Sequence, residues 1–132
     1  MLNKEIRQFI KDIPMAIVAS ATSDGIPHLA LGTDLKNPDE EHLVFENWFC
    51  KTTMKNVTQN PRVSVAIMEL STGTGYQFTG RVITSENTEI LNGYLPGEEQ
   101  AEQAQIRTRL VVQIEKVFAF CSGLHNDLLL NT

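Results

Sequence analysis

Six segments of β character follow one another along this chain of 132 residues, with only turns or short helical stretches between them. That rhythm limits the possible folds more than any other feature of the sequence. Residues 15–22, 28–36, 42–48, 62–69, 76–85 and 109–121 read as strands, rich in Val, Ile and Phe and bounded by Gly, Pro, Asn and Asp. Leu2, Ile6, Phe9, Ile10 and Ile13 recur at helical spacing ahead of Pro14, which predicts an amphipathic helix over 2–12. Met54 and Val57 give a shorter helical face over 51–60, stopped by Asn60-Pro61. Residues 88–95 and 98–105 read as helical stretches around Pro96-Gly97. A doubly wound parallel sheet needs a long helix after every strand, and the sequence has none to offer. The expected fold is mainly β: one domain over 1–132, a six-stranded antiparallel barrel or sandwich with short flanking helices.

Charge and composition then remove whole classes of function. Lys and Arg number 11 against 16 Asp and Glu, a net charge of −5, the wrong sign for a binder of phosphate backbones. No nucleic-acid partner is expected. No apolar run approaches the roughly 20 residues of a membrane span, so no membrane partner is expected either. Residues 1–7 mix acidic and basic groups without the apolar core of a secretory signal. Cys50 and Cys121 form no CxxC pair, and His28, His42 and His125 lie far apart, so no local motif asks for a metal. Two reduced cysteines in a chain of this kind suit a cytoplasmic location.

Chemistry concentrates at Asn47-Trp48-Phe49-Cys50-Lys51-Thr52-Thr53-Met54-Lys55. From Asn47 to Met68 there is no acidic residue, while Lys51, Lys55 and Arg62 add three positive charges. Lys51 and Lys55 open the second helix, where a cation opposes the macrodipole at a cost of about 0.3–1 kcal/mol each. Thr52 and Thr53 set hydroxyls beside the free amides of the first turn. Taken alone, the stretch fits two readings: a threonine cap with solvated lysines, or a phosphate site that turns every one of these groups into a favourable partner. Elsewhere, Asp34 inside an apolar strand either accepts from a bound molecule or faces solvent. Trp48 suits stacking, an interface or the core. His125 reads as a surface histidine, and Glu98, Glu99 and Glu102 as a solvated face.

The order of these elements resembles a known family. Gly25-Ile26-Pro27-His28-Leu29, then Leu43-Val44-Phe45, the Lys51-Thr52-Thr53-Met54-Lys55-Asn56 turn, Asn60-Pro61-Arg62-Val63-Ser64-Val65 and Gln77-Phe78-Thr79-Gly80-Arg81-Val82 together resemble the pyridoxamine 5′-phosphate oxidase-like FMN-binding split-barrel family. The resemblance covers about residues 14–85 and implies a six-stranded split barrel that pairs as a homodimer around two FMN molecules. Position by position it implies that Gly32, Thr33, Asp34 and Leu35 run along the flavin ring. Glu46 and Asn47 stand beside the ring and ribityl chain, and Lys51, Thr52 and Thr53 form the phosphate turn. Gln77 lies in the strand that closes over the ring. With the resemblance added, the phosphate reading of Lys51–Thr53 overtakes the cap reading.

The same resemblance implies an oxidoreductase in which FMN carries electrons between a small-molecule donor and acceptor. No side-chain nucleophile or general base is demanded, and no triad or hydrolase motif is present. Two departures argue against vitamin B6 oxidation. Leu31 stands where the oxidases carry an arginine, and their substrate-binding and C-terminal tryptophan and arginine motifs have no counterpart after Arg81. The alternative is a non-catalytic flavin or haem carrier or sensor module of the same fold, in a family that also includes members binding haem or a deazaflavin.

Overall fold

A computed structural model describes residues 2–89 and 106–130. The elements run α1 (Lys4–Asp12), β1 (Ala16–Ala21), β2 (Pro27–Gly32), β3 (Leu35–Lys36), β4 (His42–Trp48), α2 (Lys51–Gln59), β5 (Arg62–Glu69), β6 (Thr74–Glu89) and β7 (Ile106–Cys121). One antiparallel sheet holds all seven strands in the order β2-β1-β5-β6-β7-β4-β3. The mainly β, antiparallel architecture expected from the sequence is the one found. Among the described residues no helix is long and apolar enough to cross a membrane.

Two differences have plain physical reasons. The single strand expected over 28–36 is broken into β2 and β3, because Asp34 takes a left-handed backbone (φ 55°). The break matters for topology: β2 is one edge of the sheet and β3 the other, so the chain crosses from edge to edge through Thr33 and Asp34 alone. That is possible only if the sheet curls back on itself. Gly32 records the closure, since a Cβ there would stand 2.5 Å from the Trp48 ring and 2.7 Å from that of Phe45. The second difference lies at the helix expected from residue 88. Thr88 and Glu89 instead continue β6, paired with Arg107 and Ile106 of β7. A partner strand supplies a ladder of backbone hydrogen bonds that a marginal helix start cannot match. The rest of that expected helix, and the stretch over 98–105, lie outside the described residues.

Alternation along the strands builds the core. Val63, Val65 and Ile67 of β5 point inward with Val18 of β1 and Phe78 of β6, against Leu43 and Phe45 of β4 and Leu110, Val112 and Val117 of β7. Helix α1 begins at Asn3, whose side chain accepts from the Ile6 amide at 2.9 Å, a cap worth about 1 kcal/mol. Its apolar face buries Ile6 and Ile10 and sets Phe9 edge-on to Tyr76, ring centres 5.1 Å apart. Burial, with Glu5 nearby, raises the Tyr76 hydroxyl above its ordinary value. Below α1 the turn into β4 is fixed by Asp39, which accepts from the Glu41 amide and from His42. The amide first, and then His42, hold its carboxyl below the usual range. Helix α2 is fastened to β1 by a buried hydrogen bond, Asn56 Nδ2 donating to Ser20 Oγ at 3.1 Å.

Candidate functional site

The curl brings two irregular backbones face to face. Asp34 ends the β2–β3 crossing in a left-handed conformation, and Asn47 takes the same conformation (φ 53°) where β4 slips register against β7. Two non-glycine residues with positive φ are a strained and uncommon pair, kept only where the surroundings fix them. Here Leu35 pairs with Phe45 in the ladder, and Asn47 Nδ2 reaches Asp34 Oδ2 at 3.5 Å. Asp34 is exposed, and Glu46 accepts from Arg109 Nε at 3.3 Å. Gly32, Thr33, Asp34, Leu35, Glu46 and Asn47 therefore meet in one place, although 10 residues or more of sequence separate the two groups.

Trp48 closes this region from inside. It packs against Phe45 with ring centres 5.2 Å apart and is buried, so it is a core residue and offers no surface for stacking. Its indole Nε1 has no hydrogen-bond partner among the described residues. A buried donor left in that state costs about 1–3 kcal/mol.

Three residues further on, α2 begins. Its N-cap is Cys50, with no side chain bonding to the first-turn amides and no acidic residue in the first turn. Neither threonine caps the helix. Lys51, Thr52 and Lys55 are exposed, so this helix presents unsatisfied amides, one hydroxyl and two cations at its positive end. Thr53 behaves differently: it is fully buried, and its hydroxyl donates to Cys50 Sγ at 3.2 Å. His28 of β2 lies on the other side of that sulfur, with Nε2 at 3.5 Å. The His28–Cys50–Thr53 cluster was invisible in the sequence, because 22 residues separate the histidine from the cysteine and no spacing rule links them.

Gln77 stands apart from these groups within one chain. It is half-buried on the outer face of β6, opposite Ala66 of β5, which pairs with Ile17 of β1, which pairs with Leu31 of β2. Three strand spacings make that about 14 Å of sheet between Gln77 and Leu31. The same outer face carries exposed apolar side chains: Leu29 and Leu31 are 67% and 64% exposed, with Met15 and Ile17 beside them. Along β7, Leu110, Val112, Ile114 and Val117 are buried and Phe118 and Phe120 half-buried, while Phe49, next to the buried Trp48, is exposed. His125 sits in an exposed turn beyond β7. Among the described residues no group of three His, Cys, Asp or Glu side chains is placed to hold a metal ion.

The comparisons with known proteins agree with this architecture. The family model of pyridoxamine 5′-phosphate oxidase matches residues 2–121. HupZ of Group A Streptococcus superposes with a TM-score of 0.67 at 20% identity, over 93% of this chain and 97% of that one. An F420 reductase gives 0.63 at 16% identity, over 88% and 98%. An FMN-binding protein from Syntrophomonas wolfei gives 0.64 at 11% identity, over 88% and 84%. At such identities the likeness is one of fold. No curated protein sequence matches the chain. It belongs to the pyridoxamine 5′-phosphate oxidase family, on a match that spans nearly its whole length.

Proposed function

We propose that the chain is an FMN-binding flavoprotein that works as a homodimer and passes electrons from a reduced small-molecule donor to a small acceptor. One observation carries the reading: α2 opens without a side-chain cap and without an acid, yet with Lys51 and Lys55 in and just beyond its first turn. Cations there are unfavourable until an anion joins them, and a phosphate accepts from amides, hydroxyl and ammonium together. Lys51 and Thr52 hold the phosphate, with the first-turn amides. The backbone from Gly32 to Leu35 and the Asp34–Asn47 kink would hold the ring, with Glu46 fixed by Arg109. Thr53 supports the turn from beneath through Cys50. FMN, when bound, would supply the redox chemistry. The residues present bind and orient, and none is required as nucleophile or base.

A cytoplasmic location suits the two free cysteines. The test of electron transfer is rapid mixing of the FMN-loaded protein with NADH and with NADPH. We expect the flavin band to bleach with one of them and to return with oxygen, a quinone or a nitro compound. Bleaching by dithionite alone, with no turnover, would make the protein a carrier.

The homodimer rests on the outer face of β1 and β2. A contiguous apolar strip with Leu29 and Leu31 as exposed as these marks an interaction surface. A second copy packed on it would also bring a Gln77 towards the site that its own chain leaves it far from. Light scattering should give about twice 14.8 kDa at micromolar concentration. The double substitution Leu29→Lys and Leu31→Lys should halve that mass and release FMN. A monomeric wild type that holds FMN would contradict the shared site.

A further inference from the structure

A second concentration of charge lies on α1. Lys4, Arg7, Gln8 and Lys11 recur at spacings of three, four and seven residues, one face of the helix, while Ile6 and Ile10 are buried. With Lys36, Asn37, Leu35 and Ile10 they line a cleft of about 600 Å³, within the size range of small-ligand sites. Four of the chain's 11 cations are gathered there, and among the described residues no carboxylate lines the cleft, in a protein of net charge −5. Of the two acids of α1, Glu5 lies near the Tyr76 hydroxyl, and Asp12, at the rim of the cleft, accepts from Gln8 Nε2 at 2.8 Å. Among the described residues, none of the four cations is ion-paired to a carboxylate; the pairs found are Arg62–Glu115, Arg109–Glu46 and His42–Asp39.

One of the four is held in place. Arg7 Nε donates to Asn37 Oδ1 at 2.8 Å and Nη2 to the Asn37 carbonyl at 3.5 Å. Asn37 in turn donates through Nδ2 to the carbonyls of Asp39 and His42. The guanidinium is thus oriented with donors to spare, which suits a phosphoryl oxygen. Like charges at helical spacing repel by a few tenths of a kcal/mol per pair, and of the helix's cations Lys11 is favoured by its place in the last turn. Along the helix Lys4 and Lys11 are about 10 Å apart, seven residues at 1.5 Å each. A row of phosphoryl groups spans that length and gives each ammonium oxygens of its own.

We propose that the α1–β3 cleft is an anion site, separate from the α2 turn, for a ligand with a linear chain of phosphoryl groups, whether free polyphosphate or the tail of a nucleoside triphosphate. Ile10 and Leu35 form its apolar floor. The test is titration calorimetry with amide-resolved NMR on the full chain, using tripolyphosphate, ATP and orthophosphate. Tripolyphosphate should shift amides of residues 4–11 and 35–37 and bind at least tenfold tighter than orthophosphate. ATP binding more tightly than tripolyphosphate assigns the site to a nucleotide, and equal affinities assign it to the phosphate chain; both uphold the cleft. Lys4→Gln with Lys11→Gln should weaken tripolyphosphate at least tenfold without moving the thermal midpoint, whereas Lys116→Gln, on β7, should change nothing. Affinity should be the same with and without FMN, which keeps this outcome separate from the flavin assignment. No binding at millimolar tripolyphosphate, shifts confined to residues 51–55, equal affinity for orthophosphate, or an unaffected double variant would overturn the proposal.

Discussion

Replacing Lys51 with Glu should weaken FMN about 100-fold while leaving riboflavin within about threefold of wild type. The ammonium contributes a charge-assisted hydrogen bond to the phosphate, about 1.5–3 kcal/mol, and the new carboxylate adds repulsion to that loss. Together they reach roughly 3 kcal/mol, or two decades in Kd. Riboflavin has no phosphate and loses neither. The same substitution should slightly stabilise the protein without ligand, because Lys51 is exposed and an acid in the first turn favours the dipole by about 0.3–1 kcal/mol. Opposite signs for affinity and stability separate a binding role from damage to the fold. Fluorescence titration of both flavins, with thermal melts of the unliganded protein, reads all three quantities. Equal losses for FMN and riboflavin would place the phosphate elsewhere.

The second large effect concerns the sheet that carries the site. Gly80 of β6 lies where the register against β7 shifts, and a Cβ there would stand 1.9 Å from the Gln113 carbonyl oxygen. The obstacle is backbone, so relief requires β7 to move and disturbs the ladder that continues to β4. Gly80→Ala should cost about 3 kcal/mol or more, the upper end of overpacking penalties, and lower the melting midpoint by about 10 °C. Gly123→Ala is the control, since a Cβ at Gly123 meets nothing within 4 Å and should leave the midpoint unchanged. Similar midpoints for the two variants would show that β6 and β7 separate easily at this point.

Much of this architecture could be read from residue patterns, and the misses have specific causes. Residue patterns located β1, β4, β5, α1 and α2 to within a residue or two: β1, β5 and the helices each bury one face, whereas β4 carries the consecutive buried run Leu43-Val44-Phe45. The break at Asp34 was only partly legible: Gly32-Thr33-Asp34 interrupts the apolar run, but Leu35 resumes it, and the crossing from one sheet edge to the other is a tertiary feature. The extension of β6 to Glu89 was missed for the same reason. Its sequence is polar, and its strand conformation comes from pairing with β7.

The candidate site divides in the same way. Lys51 and Thr52 announced themselves by charge at a helix start, a local signal. Thr53, beside them in sequence, is turned inward by helical geometry onto Cys50, which the spacing of two adjacent threonines does not reveal. The apposition of Asp34 with Asn47, and of His28 with Cys50, follows from the closure of the sheet alone. Gln77 comes from the resemblance alone, and the structure sets it on the outer face of β6, apart from the other candidate residues.

The central claim is that this chain binds FMN through the α2 turn, and the most direct measurement is a titration of the purified protein, stripped of ligand, with FMN, followed by flavin absorption and fluorescence. A perturbed visible spectrum and saturation at one FMN per chain are expected, with inorganic phosphate at high concentration competing for the site. Free-flavin spectra at every ratio, up to FMN in large excess over micromolar protein, would contradict the claim.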